Sequence, residues 1–357
     1  MNTFGDKIRI TVFGQSHAEA IGVIIEGLPS GFAIDTERVQ KFLDRRAPGK
    51  NQYSTSRNEA DKVEYLSGLV LGKTCGAPLT AVIYNRDMHS KDYSELRAKM
   101  RPSHADYPAH VKYGDSYDVR GGGQFSGRMT APICVAGAIL VQYLEAKGIY
   151  IGAHIASVGN VNDEMFDKTS FDKEKLLCAG KKEFPVLCDE AGERMKELIL
   201  EAKNNLDSVG GTVECMALGV PAGLGEPMFS GLENVISQAV FGIPAVKGIE
   251  FGLGFESSEL FGSQNNDEYY FDEDGNVKTR TNNAGGICGG LSTGMPISFT
   301  AAMKPTPSIA AKQNTVNLET GKNDVLEIKG RHDPCIVQRA VPCIEAAMAM
   351  ALSQFVL

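Results

Sequence analysis

The chain has 357 residues, 43% apolar and 22% charged, enough to bury a large core in a single domain spanning 1–357. Its net charge of −8 argues against a nucleic-acid partner, and any anionic substrate must be met by a local group of basic side chains. No apolar run approaches bilayer length and no secretory signal follows Met1, so a cytoplasmic protein with no membrane partner is expected.

Ile8, Ile10 and Val12 alternate with Lys7, Arg9 and Thr11, the pattern of a half-buried strand. Gly14-Gln15-Ser16-His17 interrupts it, and Gly22–Ile25 reads as a second strand. Asp35 or Thr36 can cap a helix with Val39, Phe42 and Leu43 on one face, ended by the Arg-Arg-Ala-Pro-Gly run at 45–49. Residues 51–62 are polar and aperiodic, so they read as a loop, with strands following near Val63–Leu71 and Leu79–Tyr84. Residues 85–126 show very little apolar period but are rich in Arg, His, Asp and Gly. So long a loop in a compact protein is usually functional.

Met129–Lys147 is the clearest helix, with Ile133, Ala136, Ile139, Leu140 and Tyr143 on one side and Gly148 to stop it. A second helix runs over about Glu190–Asn205, and Gly210-Gly211 turns the chain into a strand at Thr212–Val220. The same helix–Gly–strand order occupies 129–153, which suggests an internal pseudo-repeat. Asn234–Val240 reads as a helix, Asp272–Asn276 as a hairpin tip, Pro296–Met303 as a strand and Ile344–Phe355 as a buried closing helix. Without regular βαβ alternation, the class is α+β. The eight cysteines lack zinc or CxxC spacing, so no metal is expected and they read as reduced, mostly buried thiols.

No GxxxxGK[ST] occurs, and Arg120–Ser126 fails GxGxxG because Ser126 takes the last glycine position. Four polar stretches stand out: 14–17, Arg101-Pro102-Ser103-His104-Ala105-Asp106, Arg120–Arg128 with its three glycines, and Gly330-Arg331-His332-Asp333-Pro334. Backbone amides around the glycines, with the helix N-terminus after them, could bind an anion. A lone loop histidine is more often solvated than catalytic, so the combination carries the weight. His17, His104 and His332 fall in these stretches, whereas His89, His110 and His154 lack such company. Histidine moves protons near neutral pH, and arginine binds phosphate and carboxylate. Residue types alone leave a His/Asp phosphate-ester hydrolase open.

In this order the four stretches resemble the signature boxes of the chorismate synthase family. Similar blocks lie at 207–211, 219–225, 245–248, 282–286 and 304–308, so the resemblance covers roughly 4–350. It implies a β-α-β sandwich with helices packed between antiparallel sheets. It also implies a lyase of the shikimate pathway, acting in aromatic amino acid biosynthesis. Such an enzyme makes chorismate from 5-enolpyruvylshikimate 3-phosphate by 1,4-anti elimination of phosphate and a ring hydrogen. Reduced FMN (FMNH2) is the implied cofactor, and a homotetramer the implied assembly. As no nicotinamide fingerprint is visible, an external flavin reductase is favoured over reduction by NADPH on this chain.

Carried over by position, His17 is the acid near the departing phosphate, and His104 protonates or stabilises the reduced flavin. Asp333 assists proton removal. Arg46, Arg101, Arg128 and Ser16 match substrate-binding positions. Gln124, Phe125, Ser126, Pro244, Ala245, Gly289, Lys304, Pro305, Thr306, Pro307, Ser308 and Arg331 match flavin-contacting ones. The chain departs from the pattern at Gln15, Ala18, Ser103, Gln124, Phe125, Met129 and Pro244, mostly around the flavin. A catalytically silent flavin- or anion-binding relative is therefore the second reading.

Overall fold

The alternation at the start of the chain becomes the strand Arg9–Gly14, with Ile10 buried and Arg9 exposed. The computed structural model describes residues 2–47, 53, 61–85, 97–328 and 332–356. The first sheet has the order Thr3–Phe4, Arg9–Gly14, Ala20–Glu26, Leu79–Tyr84, Glu64–Ser67, with every neighbouring pair antiparallel. A second antiparallel sheet runs Val246–Phe251, Ile297–Met303, Gly211–Leu218, Tyr150–Val158, Val161–Asn162. The two helix–Gly–strand units thus deliver adjacent strands, Tyr150–Val158 and Gly211–Leu218, to one sheet.

The helices are α1 (Thr36–Arg46), α2 (Asp106–Tyr113), α3 (Thr130–Glu145), α4 (Lys173–Cys178), α5 (Asp189–Asn204), α6 (Leu232–Phe241), α7 (Gly262–Asn265) and α8 (Val337–Leu352). Asp35 caps α1, its carboxylate accepting from the Glu37 and Arg38 amides at 3.0 Å each. α3 packs on the first sheet through Ala20–Glu26, α8 packs on Tyr150–Val158 and Gly211–Leu218 of the second, and the two helices pack on each other. The layers are therefore sheet, helices, sheet.

That layering corrects the one-sided reading of α3. Residues Cys134 to Leu140 are buried without a break, because a helix in the middle layer has no face turned to water. Gly137 permits the crossing, since a Cβ there would collide with Ala346 of α8. The segment Gly127–Glu145 is long and apolar enough to cross a membrane, contrary to the expectation, but it is 83% buried inside the fold. α8 begins at Val337, well before the expected start, and contains Pro342. Proline lacks an amide donor and reads as a break, yet here the helix continues through it.

Within 85–126 the expectation of a continuous loop is also corrected, as α2 and several 3-10 turns form. α2 escapes a periodicity reading because it buries only Asp106 and Ala109. Residues 86–96, and all of the expected loop at 51–62 except Tyr53, Asp61 and Lys62, lie outside the described residues. Cys134, Cys215, Cys335 and Cys343 are buried, but Cys75 and Cys288 are exposed and Cys178 and Cys188 half-buried.

Candidate active site

Gly121, Gly122 and Gly123 take positive φ in succession, at 57°, 83° and 54°, a path that strains any residue with a Cβ. A Cβ on Gly121 would collide with the His17 ring, and one on Gly122 would stand 3.1 Å from His104 Nε2. The Ser16 amide donates to Gly123 O at 3.1 Å. The glycine turn thus holds the first and second polar stretches together and seats two imidazoles on adjacent residues.

His104 is fixed from behind. Its Nδ1 lies 2.7 Å from Asp106 Oδ1, and Asp106 also accepts from Arg101 Nε at 2.7 Å and Nη2 at 2.8 Å. Burial would raise the Asp106 carboxyl, but hydrogen bonds and charge from Arg101, joined by His104, hold it well below the usual carboxylate range. Arg101 Nη2 also stands 3.1 Å from Nδ1, but the shorter contact to an ionised Asp106 favours a proton on Nδ1, which turns Nε2 to the cavity side. Ser103, beside this cluster, has φ 57°, a left-handed conformation that costs a residue with a Cβ and that glycine adopts freely.

Arg46 and Arg128 share one counter-ion, the buried Asp61. Arg46 Nη1 donates to Asp61 Oδ2 at 2.6 Å, and Arg128 Nη1 donates to Oδ1. Thr130 Oγ1 accepts from Arg46 Nε at 3.0 Å, and Asn85 Oδ1 accepts from Arg128 Nε at 3.2 Å. Asp333 accepts from Arg339 Nη1, and Arg339 Nε donates to Arg46 O at 2.9 Å.

These groups surround a cavity of about 590 Å³ whose floor is the start of α3 and of α8. Among the described residues its lining carries Arg46, Arg101, Arg128, Lys304 and Arg339 against one carboxylate, Asp333. Among the flavin-contacting expectations, Gln124, Phe125, Ser126, Pro244, Ala245, Lys304, Thr306, Pro307 and Ser308 line it. The Lys304 amide donates to Ala245 O at 3.0 Å, and its Nζ to Ser103 O at 2.7 Å, tying three segments together. Burial, with Lys247 nearby, lowers the Lys304 pKa.

Some expected residues stand elsewhere. His17 and Ser16 are buried beside the lining residue Gly121. Pro305 is not in the lining and sits against Gly210. Gly289 lies outside the cavity, because it caps the tight hairpin Ile287–Ser292 that packs on the start of α6. Arg331 lies outside the described residues. Three contributors were not foreseen. Asp61 and Asn85 carry no local pattern, whereas Arg339, six residues after Asp333, could have been sought as its partner. Among the described residues no group of His, Cys, Asp and Glu could hold a metal ion.

A sequence profile described as chorismate synthase matches residues 8–357. A chorismate synthase of Lancefieldella parvula is 46% identical, over 98% of this chain and 95% of its own length. That of Methanocaldococcus jannaschii is 45% identical over 100% and 96%. A solved structure described as a crystal structure of chorismate synthase superposes with a TM-score of 0.78 at 31% identity, covering 99% of this chain and 92% of that one.

Proposed function

The chain belongs to the chorismate synthase family, and we propose that the cavity on α3 and α8 is where it performs that family's reaction. The activity is that of a carbon–oxygen lyase of the shikimate pathway, which converts 5-enolpyruvylshikimate 3-phosphate to chorismate. The observation that carries the site assignment is the convergence of His104, Asp333 and three arginines from four separate segments on one cavity.

The lining suits a reduced flavin mononucleotide as well as the substrate. Its volume, about 590 Å³, is within the range of roughly 300–1,000 Å³ typical of small-molecule sites. Ile243, Met303, Ile336 and Ala340 offer an apolar surface for a ring system, while Lys304, Thr306 and Ser308 offer polar groups for a phosphate tail. When bound, reduced FMN supplies an electron transiently and recovers it, with no net redox change.

The protein's own share is charge and proton placement. Arg46, Arg101 and Arg128, with Ser16, hold the substrate's phosphate and carboxylates. Asp61 offsets part of the positive charge of Arg46 and Arg128 before an anion arrives. The bond from the ring to the phosphate oxygen breaks with its electron pair leaving on phosphate, and the arginines stabilise the charge that develops there. His17 would donate a proton to the departing phosphate, His104 Nε2 would stand as a proton donor beside a bound flavin, and Asp333 would accept the ring proton as the C–H electron pair forms the new double bond.

The family resemblance implies a homotetramer, and the exposed Met228, Phe229, Phe255, Phe261 and Phe271 are apolar surface that self-association could cover. A monomer by light scattering would remove that reading. The sequence, lacking a nicotinamide fingerprint, supports an external flavin reductase, and NADPH oxidation by the purified chain would overturn this.

Anaerobic incubation with 5-enolpyruvylshikimate 3-phosphate and chemically reduced FMN should yield chorismate. His17→Ala and His104→Ala should each lower turnover by about 10²–10⁴-fold, the usual contribution of a general acid–base group. Phosphate release without flavin would point instead to hydrolysis, and wild-type rates in both variants would remove the assigned roles.

A further inference from the structure

The floor of the cavity carries two thiols that the elimination does not use. Close to the crossing at Gly137 and Ala346, Cys134 of α3 and Cys343 of α8 face each other with their sulfurs 3.7 Å apart. Cys343 lines the cavity. Cys134 is fully buried behind it. The Cys134 S–H donates to Cys343, and this hydrogen bond lowers the Cys343 pKa against the effect of burial, with Arg46, Thr130 and Arg339 adding to it. Burial pushes the Cys134 thiol up. The Cys343 thiol itself donates to Arg339 O at 3.3 Å, and once that proton is lost its sulfur, lining the cavity and accepting from Cys134, is the nucleophile of the pair.

We propose that Cys343 and Cys134 form an oxidisable dithiol, in which Cys343 is the modification site for a peroxide entering the cavity and Cys134 resolves the product into a disulfide. The Cys343 thiolate attacks one peroxide oxygen and the O–O bond breaks. The departing hydroxide takes up a proton as water, leaving a sulfenic acid on a sulfur oxidised by two electrons. The Cys134 sulfur then attacks the Cys343 sulfur, and the S–O bond breaks. Water leaves with the Cys134 proton. In sum, two thiols and one hydrogen peroxide give one disulfide and two waters.

An S–S bond of about 2.0 Å is far shorter than the present separation, so its formation draws the two helices together. Thr130, one turn before Cys134, holds Arg46 Nε at 3.0 Å. Arg339, one turn before Cys343, holds Asp333 and the Arg46 carbonyl. Oxidation therefore displaces the substrate-binding and proton-accepting groups from beneath. The activity consequence rests on the site assignment above; the cross-link itself does not.

The test treats the full chain with hydrogen peroxide, then alkylates and digests it with trypsin. Peptides 129–147 and 340–357 each contain a single cysteine and should appear as one cross-linked species. Chorismate formation should fall about tenfold or more, because misplacing reactive groups by ~1 Å can cost about 10²-fold. Dithiothreitol should restore it. Cys134→Ala should form no cross-link, and excess peroxide should carry its unresolved Cys343 sulfenic acid on to the sulfinic acid, which dithiothreitol does not reverse. Separate alkylated peptides from the peroxide-treated wild type would overturn the dithiol. A Cys134→Ala chain whose Cys343 is no more over-oxidised than in the wild type after the same excess of peroxide would overturn the resolving role. A cross-linked chain with undiminished turnover would refute the coupling to the site.

Discussion

Asp106→Asn keeps the side chain's shape and removes its charge. Asp106 is 4% exposed and Arg101 6%, so both sit away from water. The carboxylate accepts from the Arg101 amide at 3.1 Å, Nε at 2.7 Å and Nη2 at 2.8 Å, and from His104 Nδ1 at 2.7 Å. An amide offers one acceptor oxygen and turns its NH2 against a donor. Leaving a buried arginine without its counter-ion costs about 3–5 kcal/mol. The unfolding free energy at pH 7 should therefore fall by roughly that amount, read from urea denaturation. Turnover should drop by about 10²-fold or more, because His104 loses the acceptor that fixes its tautomer.

The pH dependence has a definite sign. The folded carboxyl is held below its ordinary value, so its contribution is complete above the unfolded Asp pKa of about 3.9 and is lost as pH falls through the folded value. The gap between wild type and variant should narrow below about pH 4. Equal urea midpoints and equal turnover at pH 7 would refute both the counter-ion and the positioning argument.

Two further perturbations act on residues outside the cavity lining. Gly137→Ala places a Cβ against Ala346 where α3 and α8 cross, and overpacking of this kind should cost about 1–3 kcal/mol in urea denaturation. His154 is fully buried, with Nδ1 3.1 Å from Asp163 and Nε2 2.8 Å from Glu214. Burial lowers its pKa, but the two carboxylates outweigh this and leave it raised. His154→Phe removes the cationic partner of both carboxylates, leaving Asp163 and Glu214 with backbone amide donors alone, and should cost about 3–5 kcal/mol near neutral pH. Because the folded pKa is raised, the histidine's contribution is complete below the unfolded value of about 6.5 and is lost as pH rises through the folded one. A deficit that grew on the alkaline side would contradict this.

The sequence carried the parts of the fold that have one wet face. The alternation at 8–12 and the Asp35 cap translate directly into Arg9–Gly14 and α1. It carried less where burial is two-sided or polar. α8 is buried along nearly its whole length and includes Pro342, so neither a stripe nor a start signal marks Val337. α2 buries an aspartate and an alanine, which no hydrophobic period reveals. The same division holds at the site. The boxes bearing His17, His104 and Asp333 are contiguous and could be read, as could the glycine run that seats the histidines. Asp61 and Asn85 reach Arg128 from other parts of the chain, and only the folding of the first sheet against α3 brings them there.

The cavity floor is also the middle layer of the sandwich, and this couples two properties that many enzymes keep apart. In enzymes built on loops, the reactive groups sit on backbone that opens locally, and activity fades before the core melts. Here the turns bearing Arg128, Thr130 and Arg339 continue into α3 and α8, whose interiors are among the most deeply buried in the chain. Their amide hydrogens should exchange with solvent only through near-global opening. Loss of the anion-holding arginines on these helices and loss of the fold then become one event, whereas the loop-borne His17, His104 and Asp333 can move without it.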